Sequence, residues 1–324
     1  MAKKVILDVD TGSDDAVAIM LAELHPEIDL VAVCSVAGNV PIENTTENTL
    51  RVRDLLKADF PVYEGCDRAI VRESCPWRIQ VDMRADAMVQ GHKVHIHEDY
   101  LRLPPSTRTV EAHKAPMFYV HYLTKPEVDK VTICAVGPLT NIAVAIMIEP
   151  KILDKIEEIV VMGGACDVSN ASSSAEFNIF RDPEAAQRVF RSGAKIVLVP
   201  LDATHRAVVT KDDCKRFREI NNPISNFAAD LCDLRILVHT QQQPLWLPDS
   251  CALHDALAVS YIVDPTVLTD IKYLPVDVSL DGLTDGQTVV DQRTIVINPN
   301  VHYAFDGDRE KFVNILCEAF ERFN

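Results

Sequence analysis

Val5-Ile6-Leu7-Asp8-Val9-Asp10-Thr11-Gly12-Ser13-Asp14-Asp15-Ala16-Val17-Ala18-Ile19-Met20 is the stretch on which the reading of this chain turns. The apolar run Val5 to Leu7 passes into four carboxylates, and a second apolar run starts at Ala16 with no polar interruption before Glu23. Strand formers, a Thr-Gly turn and acidic residues heading an apolar stretch predict strand, loop and helix, with Asp14 or Asp15 accepting from the free N–H groups of the first helical turn. A cap uses one carboxylate. Four gathered at the mouth of a buried strand raise one another's pKa values unless a cation or a polar ligand shares the site.

Further along, the same pattern repeats. Leu30 to Ala37 is a β-branched apolar run ending at Gly38-Asn39. Asn44 and Glu47 form a capping pair for a helix that turns Leu50, Leu55 and Leu56 inward. Phe60 to Tyr63 is a short strand, and Val131 to Val136 is a buried one closed by Gly137-Pro138, with Leu139-Thr140-Asn141 opening a helix through Ile148. Ile156 to Met162 ends on Gly163-Gly164. A polar loop from Asp167 to Asn178 leads to a helix with Asp182 as cap, Pro183 at its first position and Gly193 past its end. Lys195 to Leu201 is one more strand, stopping at Asp202. Strands alternating with helices imply an α/β fold: a mostly parallel, doubly wound, Rossmann-like sheet flanked by helices. No low-complexity linker divides the chain, so residues 1–324 are expected to form a single domain. Asp10, Asn39, Gly137, Gly163-Gly164 and Asp202 each follow the last apolar residue of a strand, and ligands of open parallel sheets bind beyond the carboxyl ends of the strands. These stretches are expected to converge on one site.

Composition narrows the ligand. A formal charge of −16 with no dense basic patch argues against a nucleic-acid partner, because phosphate-backbone affinity rests on cationic contacts. The 324 residues, 48% hydrophobic, suffice for a large core. Nine cysteines, odd in number, scattered and never in a C-x-x-C arrangement, suit free thiols in a reducing compartment. The opening Met1-Ala2-Lys3-Lys4 runs straight into the first strand, and no apolar run approaches membrane-spanning length. A soluble cytoplasmic protein is expected.

Two further groups carry chemistry. Asn170 and Ser174-Ala175-Glu176-Phe177-Asn178 bring hydrogen-bonding side chains together within nine residues, with Glu176 and Asn178 on one side of the chain if it is extended, which suits a polyhydroxyl ligand. Leu253-His254-Asp255 starts another apolar helix, with Asp255 near its N-terminus and His254 just outside. Asp255 is a candidate metal ligand and His254 a candidate proton donor. From Asp67 to about Pro105 periodicity vanishes, and loops this long are functional or mobile. His92, His95 and His97 lie in it with His-x-x-His spacing, read as part of a pocket lid rather than as a transition-metal site.

Three readings compete for the opening stretch. A calcium loop of the helix-loop-helix kind needs Gly and Glu where Ser13 and Ile19 stand. Asp8-Val9-Asp10-Thr11-Gly12 resembles the opening of haloacid-dehalogenase phosphatases, which would make Asp8 a nucleophile and Asp10 its acid/base partner, but the downstream acidic motif such an enzyme needs has no counterpart at fitting spacing. Asp8-x-Asp10-x-Gly12-x-Asp14-Asp15 resembles the signature of the inosine/uridine-type nucleoside N-ribohydrolases, the one reading that uses the Asp14-Asp15 pair. Val36-Ala37-Gly38-Asn39, Val136 to Asn141, Val161 to Ala165, Ala175 to Ile179 with Asp182 to Ala186, and His254-Asp255 follow in that family's order, from residue 5 to about 265.

The resemblance implies Ca²⁺ held by Asp10, Asp15, Asp255 and the carbonyl of Val136, with Asp10 as base toward a water whose pKa the metal lowers. It places Asp14, Asn39 and Asn178 on the 2′- and 3′-hydroxyls of a ribonucleoside, Asn170 and Glu176 toward the 5′-hydroxyl, and His254 at the departing base. The expected reaction is hydrolysis of the N-glycosidic bond to nucleobase and ribose through an oxocarbenium-like transition state, by a homodimer or homotetramer. Asp8 would orient the other carboxylates. Two departures stand out. Thr11 occupies a place where Pro is usual, and of a His-Gly-x-x-Gly motif near the base only the order Gly91-His92 remains within residues 88–97, so no His is assigned to the base. The rival of another class is a non-catalytic nucleoside- or sugar-binding protein, which needs neither Asp10 as base nor His254 as acid.

Overall fold

The structure, a computed structural model, describes residues 2–78, 86–89, 92–293, 295 and 297–323. Eight strands form the central sheet in the order Val62–Glu64, Ile28–Ser35, Lys3–Val9, Val131–Ala135, Ile156–Met162, Ile196–Val199, Val301–Ala304 and Ile271–Leu274. Neighbours pair in parallel throughout, except that Ile271–Leu274 runs antiparallel to Val301–Ala304 at the edge. Because side chains alternate across a strand, Val5, Leu7 and Val9 enter the apolar cluster on one face while Ile6 enters the cluster on the other. A strand buried on both faces needs an unbroken apolar sequence, which the opening stretch supplies.

The chain moves outward from Lys3–Val9 through Ile28–Ser35 to Val62–Glu64, then returns to lay Val131–Ala135 on the other side of Lys3–Val9. That reversal leaves a crevice at the carboxyl ends of the two central strands. Asp10 follows one of them and Val136 the other. Helix Ser13–Leu24 is buried from Ser13 to Ala22 and packs against His254–Val263 and Arg309–Phe320. A buried Asp15 at its head is costly: burial and the neighbouring Asp14 push its pKa up to about 6, a shift equivalent to about 3 kcal/mol at neutral pH. Each fully buried aliphatic side chain contributes about 1.5–3 kcal/mol. Ile19, Met20 and Leu21, all at 0% exposure, therefore more than offset one such carboxylate.

Several local expectations are revised. The helix expected from the Asn44 and Glu47 pair begins earlier, at Ile42, because the Pro41 carbonyl already accepts from the N–H groups of Asn44 and Thr45. Asn44 reaches instead to the Asp99 carbonyl, and Glu47 to Arg51 and the Ser106 N–H. The residue at the head of Ser13–Leu24 is Gly12, with Asp15 reaching back to its N–H at 2.9 Å. The strand expected over Lys195 to Leu201 stops at Val199, since Pro200 turns the chain into the short helix Leu201–Thr204. Glu176 and Asn178 are not on an extended segment: Glu176 caps helix Phe177–Arg181. His254 is the first residue of helix His254–Val263 rather than outside it. The irregular region after Asp67 contains a hairpin, Asp86–Val89 with His92–His95, while Gln90 and Gly91 of the divergent 88–97 stretch lie outside the described residues. Asp182 caps Pro183–Phe190 as expected, accepting from the Ala185 N–H at 3.1 Å.

Candidate active site

The crevice opens into a cavity of about 450 Å³. Asp10, Asp14, Asn39, Val136, Asn170, Glu176, Asn178, His254 and Asp255 all line it. Asp15 lies directly beneath, fully buried. The sequence elements that are far apart thus meet at one place, although Gly137 and Gly163-Gly164 stand behind the lining, against Asp10 and Glu176, and Asp202 is turned to another task. Asp202 does not line the cavity; its carboxylate accepts from the N–H groups of Cys166 and Asp167 and from the Tyr303 hydroxyl, and so fixes the start of the polar loop that carries Asn170.

The acidic loop is held from inside. Asp15 accepts from the N–H groups of Asp10 and Gly12 at 3.0 and 2.9 Å and from Asn39 Nδ2 at 3.2 Å. Asp10 Oδ2 accepts from the Asn39 N–H at 2.8 Å. Both glycines flanking Asp10 are required by space, since a Cβ on Gly38 would overlap Asp10 Oδ2 and one on Gly137 would fall 2.9 Å from Asp10 Oδ1. Burial and the Asp15 charge push the Asp10 pKa well up, and burial with Asp14, Asp15 and Asp10 does the same to Asp255. Carboxylates that repel in this way are a site for a cation. One oxygen from each of Asp14, Asp15 and Asp255 lies within 4.8 Å of the others, so the cluster can hold a metal ion. The trio includes Asp14 and not Asp10, whose carboxylate is turned toward Asn39.

The remaining polar groups are largely committed to backbone, each keeping some capacity. Asn178 Nδ2 donates to the carbonyls of Val136 and Met162 at 2.8 and 3.2 Å, leaving Oδ1. Glu176 accepts from the N–H groups of Gly164, Asn178 and Ile179 at 2.8, 2.9 and 3.2 Å, and burial pushes its pKa up to about 7 despite them. Asn170 Oδ1 accepts from the Phe177 N–H, leaving its amide nitrogen. His254 Nδ1 faces the Thr204 hydroxyl at 2.7 Å, and burial with the nearby Arg235 charge pushes the imidazole pKa well down. The ring is neutral at pH 7.

Asp8 stands apart. Its carboxylate is 1% exposed and accepts from the Tyr119 hydroxyl and Asn141 Nδ2 at 2.9 and 3.1 Å. Asn141 also bonds the Ser35 carbonyl and the Cys66 N–H, so Asp8 joins strand ends to one another. A nucleophile needs access, which removes the phosphatase reading of Asp8.

Arg235 is the residue that the sequence reading missed. It lines the cavity at 2% exposure and donates to Asp14 Oδ1, Ser13 Oγ and the Ala252 carbonyl. The signal was present: Leu231, Arg235 and Val238 lie on the inward face of helix Pro223–Gln242, where a charge is rare unless it is paired. His97 and His239 also line the cavity. His97 Nδ1 accepts from the Ser13 N–H at 3.3 Å, so the divergent stretch is laid onto the acidic loop.

A doubly wound α/β fold with buried carboxylates, amides and a histidine around one cavity at its topological switch point defines a hydrolase-type site for a cation and a polyhydroxyl ligand. The comparisons with known proteins narrow this class. The chain belongs to the inosine-uridine preferring nucleoside hydrolase family, whose profile matches residues 5–314. It is 36% identical over 326 residues to an inosine-uridine preferring nucleoside hydrolase of Leishmania major, covering 99% of this chain and 98% of that protein. It is also 36% identical to the pyrimidine-specific ribonucleoside hydrolase RihA of an Enterobacter species, covering 100% and 99%. Among solved structures, a purine-preferring ribonucleoside hydrolase from Gardnerella vaginalis superposes with a TM-score of 0.83 at 31% identity, covering 98% of each chain. The plant nucleoside hydrolase PpNRh1 superposes with a TM-score of 0.85 at 29% identity, covering 99% of each.

Proposed function

We infer that the chain hydrolyses the N-glycosidic bond of ribonucleosides, releasing nucleobase and ribose, with Ca²⁺ as its cation. The observation that carries this reading is the buried set Asp10, Asp14, Asp15 and Asp255 at the switch point, facing a cavity lined by Asn39, Asn170, Glu176 and Asn178. Asp10, Asp15, Asp255 and the Val136 carbonyl would hold the cation. All are hard oxygen donors, as calcium prefers, and the cation relieves the repulsion that raises the carboxylate pKa values. Once bound, it supplies a Lewis acid that lowers the pKa of the attacking water.

The protein groups do the rest. Asp10, aimed by the Asn39 N–H, takes the proton from the water as it attacks the anomeric carbon. Asp14, Asn39 and Asn178 hold the 2′- and 3′-hydroxyls, and Asn170 and Glu176 reach toward the 5′-hydroxyl. Negative charge under the ring favours the oxocarbenium character of the transition state. His254 gives a proton to the departing base. With Nδ1 accepting a hydrogen bond from the Thr204 hydroxyl at 2.7 Å, Nε2 carries the N–H and donates a hydrogen bond to the leaving nitrogen; complete proton transfer draws on the imidazolium form and returns the ring to its neutral state.

The assembly proposed is a homodimer or homotetramer, and exposed Leu283, Ile295 and Ile297 are the kind of apolar surface such contacts cover. Nine free cysteines support a reducing compartment, the cytoplasm. No helix among the described residues is long and apolar enough to cross a membrane. The test of function is direct. Inosine, adenosine, guanosine, uridine and cytidine are incubated with the protein, with and without a chelator, and reducing sugar is assayed. Release from at least one nucleoside, lost on chelation and restored by Ca²⁺, is expected. Nucleoside binding without release of sugar would make the protein a binding module instead.

A further inference from the structure

Among the described residues lining the cavity Arg235 is the one lysine or arginine, and it is placed against one particular carboxylate. Its Nη1 donates to Asp14 Oδ1 and to Ser13 Oγ, both at 2.8 Å, while Nε donates to the Ala252 carbonyl at 2.9 Å. Charge compensation alone would not need this geometry, since any cation near four carboxylates supplies it. The guanidinium is gripped at both ends: by the acidic loop through Ser13 and Asp14, and by strand Ser250–Ala252, which leads directly into His254 and Asp255. A planar fork held at two places cannot swing, so it fixes the rotation of the Asp14 carboxylate. Oδ1 is consumed. Oδ2 is the oxygen left for a ligand, in a residue that lines the cavity.

We propose that Arg235 is a positioning residue that aims Asp14 Oδ2 at the 2′-hydroxyl of the substrate, and that this pairing gives the enzyme its preference for ribonucleosides over 2′-deoxyribonucleosides. The proposal rests on the ribonucleoside reading above and adds to it a determinant of the sugar class. A 2′-hydroxyl becomes a better donor as positive charge develops on the adjacent anomeric carbon, so a fixed carboxylate acceptor binds the transition state more tightly than the ground state. A freely rotating carboxylate loses part of that difference. The effect therefore falls on kcat for the ribonucleoside more than on KM.

The experiment uses the best nucleoside of the panel and its 2′-deoxy counterpart, with the Ca²⁺-loaded protein. Arg235→Met is expected to lower the ribo-to-deoxy ratio of kcat/KM by at least tenfold, mainly through kcat of the ribonucleoside. Arg235→Lys keeps the charge but cannot hold Asp14, Ser13 and Ala252 together, and is expected to give an intermediate ratio. In an Asp14→Asn background, Arg235→Met is expected to leave the ratio where Asp14→Asn put it. An equal loss on both sugars would overturn the proposal and reduce Arg235 to a structural cation. If Arg235→Met does not fold, Arg235→Lys decides alone: a fall of about threefold or more supports the proposal, and an unchanged ratio refutes it. A wild-type protein that cleaves neither sugar would fail the function itself, an outcome distinguishable from an unchanged ratio.

Discussion

Glu176→Gln tests which of two opposed effects governs the carboxylate that three backbone N–H groups hold. Three backbone N–H groups and a helix N-terminus favour the charged form, whereas burial at 2% exposure favours the neutral one. The structure has burial ahead, with the pKa raised from 4.5 to about 7. The sign follows by linkage. A carboxyl group whose pKa is higher folded than unfolded binds more protons in the folded state, so its contribution to stability is complete below pH 4.5 and is lost as pH rises toward 7. At 1.36 kcal/mol per unit the loss is about 3 kcal/mol between pH 4 and pH 8.

Glutamine is isosteric and does not titrate. It presents an amide N–H₂ to at least one of the three donors, a mismatch of about 1–3 kcal/mol that does not depend on pH. Urea unfolding of both proteins in chelator, at half-unit steps from pH 4 to 8, isolates the group, because every other titration cancels in the difference. The variant is expected to be less stable at pH 4 and to close the gap by about 3 kcal/mol by pH 8, reaching or passing the wild type. A gap that widens with pH would refute the reasoning: the three N–H groups would then outweigh burial, and Glu176 would be ionised throughout.

Three other outcomes are expected. Asp10→Asn keeps the contact with the Asn39 N–H but removes the base, so turnover should fall to background while the circular-dichroism melting curve stays close to that of wild type; near-full hydrolysis would dismiss Asp10 from that role. His254→Ala should slow natural nucleosides far more than a nitrophenyl riboside, whose leaving group needs no protonation, and equal losses on the two would take the acid role from His254. Ca²⁺ at about a hundredfold over its Kd should stabilise chelated protein by about 2.7 kcal/mol. At one fixed Ca²⁺ concentration the gain should be larger at pH 7.5 than at pH 5, because Asp15, its pKa pushed up to about 6, and Asp10 and Asp255, both raised well above the usual carboxylate value, must lose protons to bind a cation. A melting shift that is flat over this range would place the cation elsewhere.

What could be read from the sequence was whatever a short stretch decides for itself. Ile156–Met162 is a strand at the expected bounds because a β-branched run closed by two glycines has no competing local structure. Asp182-Pro183 opens a helix because the cap and the fixed φ of proline act within four residues. Asn44 misled for a local reason of its own, since Pro41 three positions earlier had already started the helix. The convergence of Asp10 and Asn39 followed from strand ends in a parallel sheet, a rule of topology that needs no distances, whereas Val136, Asn178 and Asp255 were legible through the family resemblance.

What the sequence withheld are pairings across long separations. Nothing near Asp14 announces a guanidinium 221 positions away, and nothing near Asp202 says that its acceptors go to Cys166 and Asp167 rather than to a ligand. Both cases turn on how a carboxylate's limited lone pairs are shared, which a motif does not encode. Asp8 is the sharpest instance. Within the motif it is equivalent to Asp10, yet one carboxylate is spent joining strand ends through Tyr119 and Asn141 and the other lines the cavity. The four carboxylates of the opening stretch therefore divide by what each is bonded to: Asp8 to the sheet, Asp15 to the loop's own N–H groups, Asp14 to Arg235 and Asp10 to Asn39. Of these and Asp255, Asp14 is the one in an ion pair with the buried Arg235, and this pairing supports the proposal that Asp10, Asp15 and Asp255 carry the cation, although one oxygen of Asp14 also lies within 4.8 Å of Asp15 and Asp255.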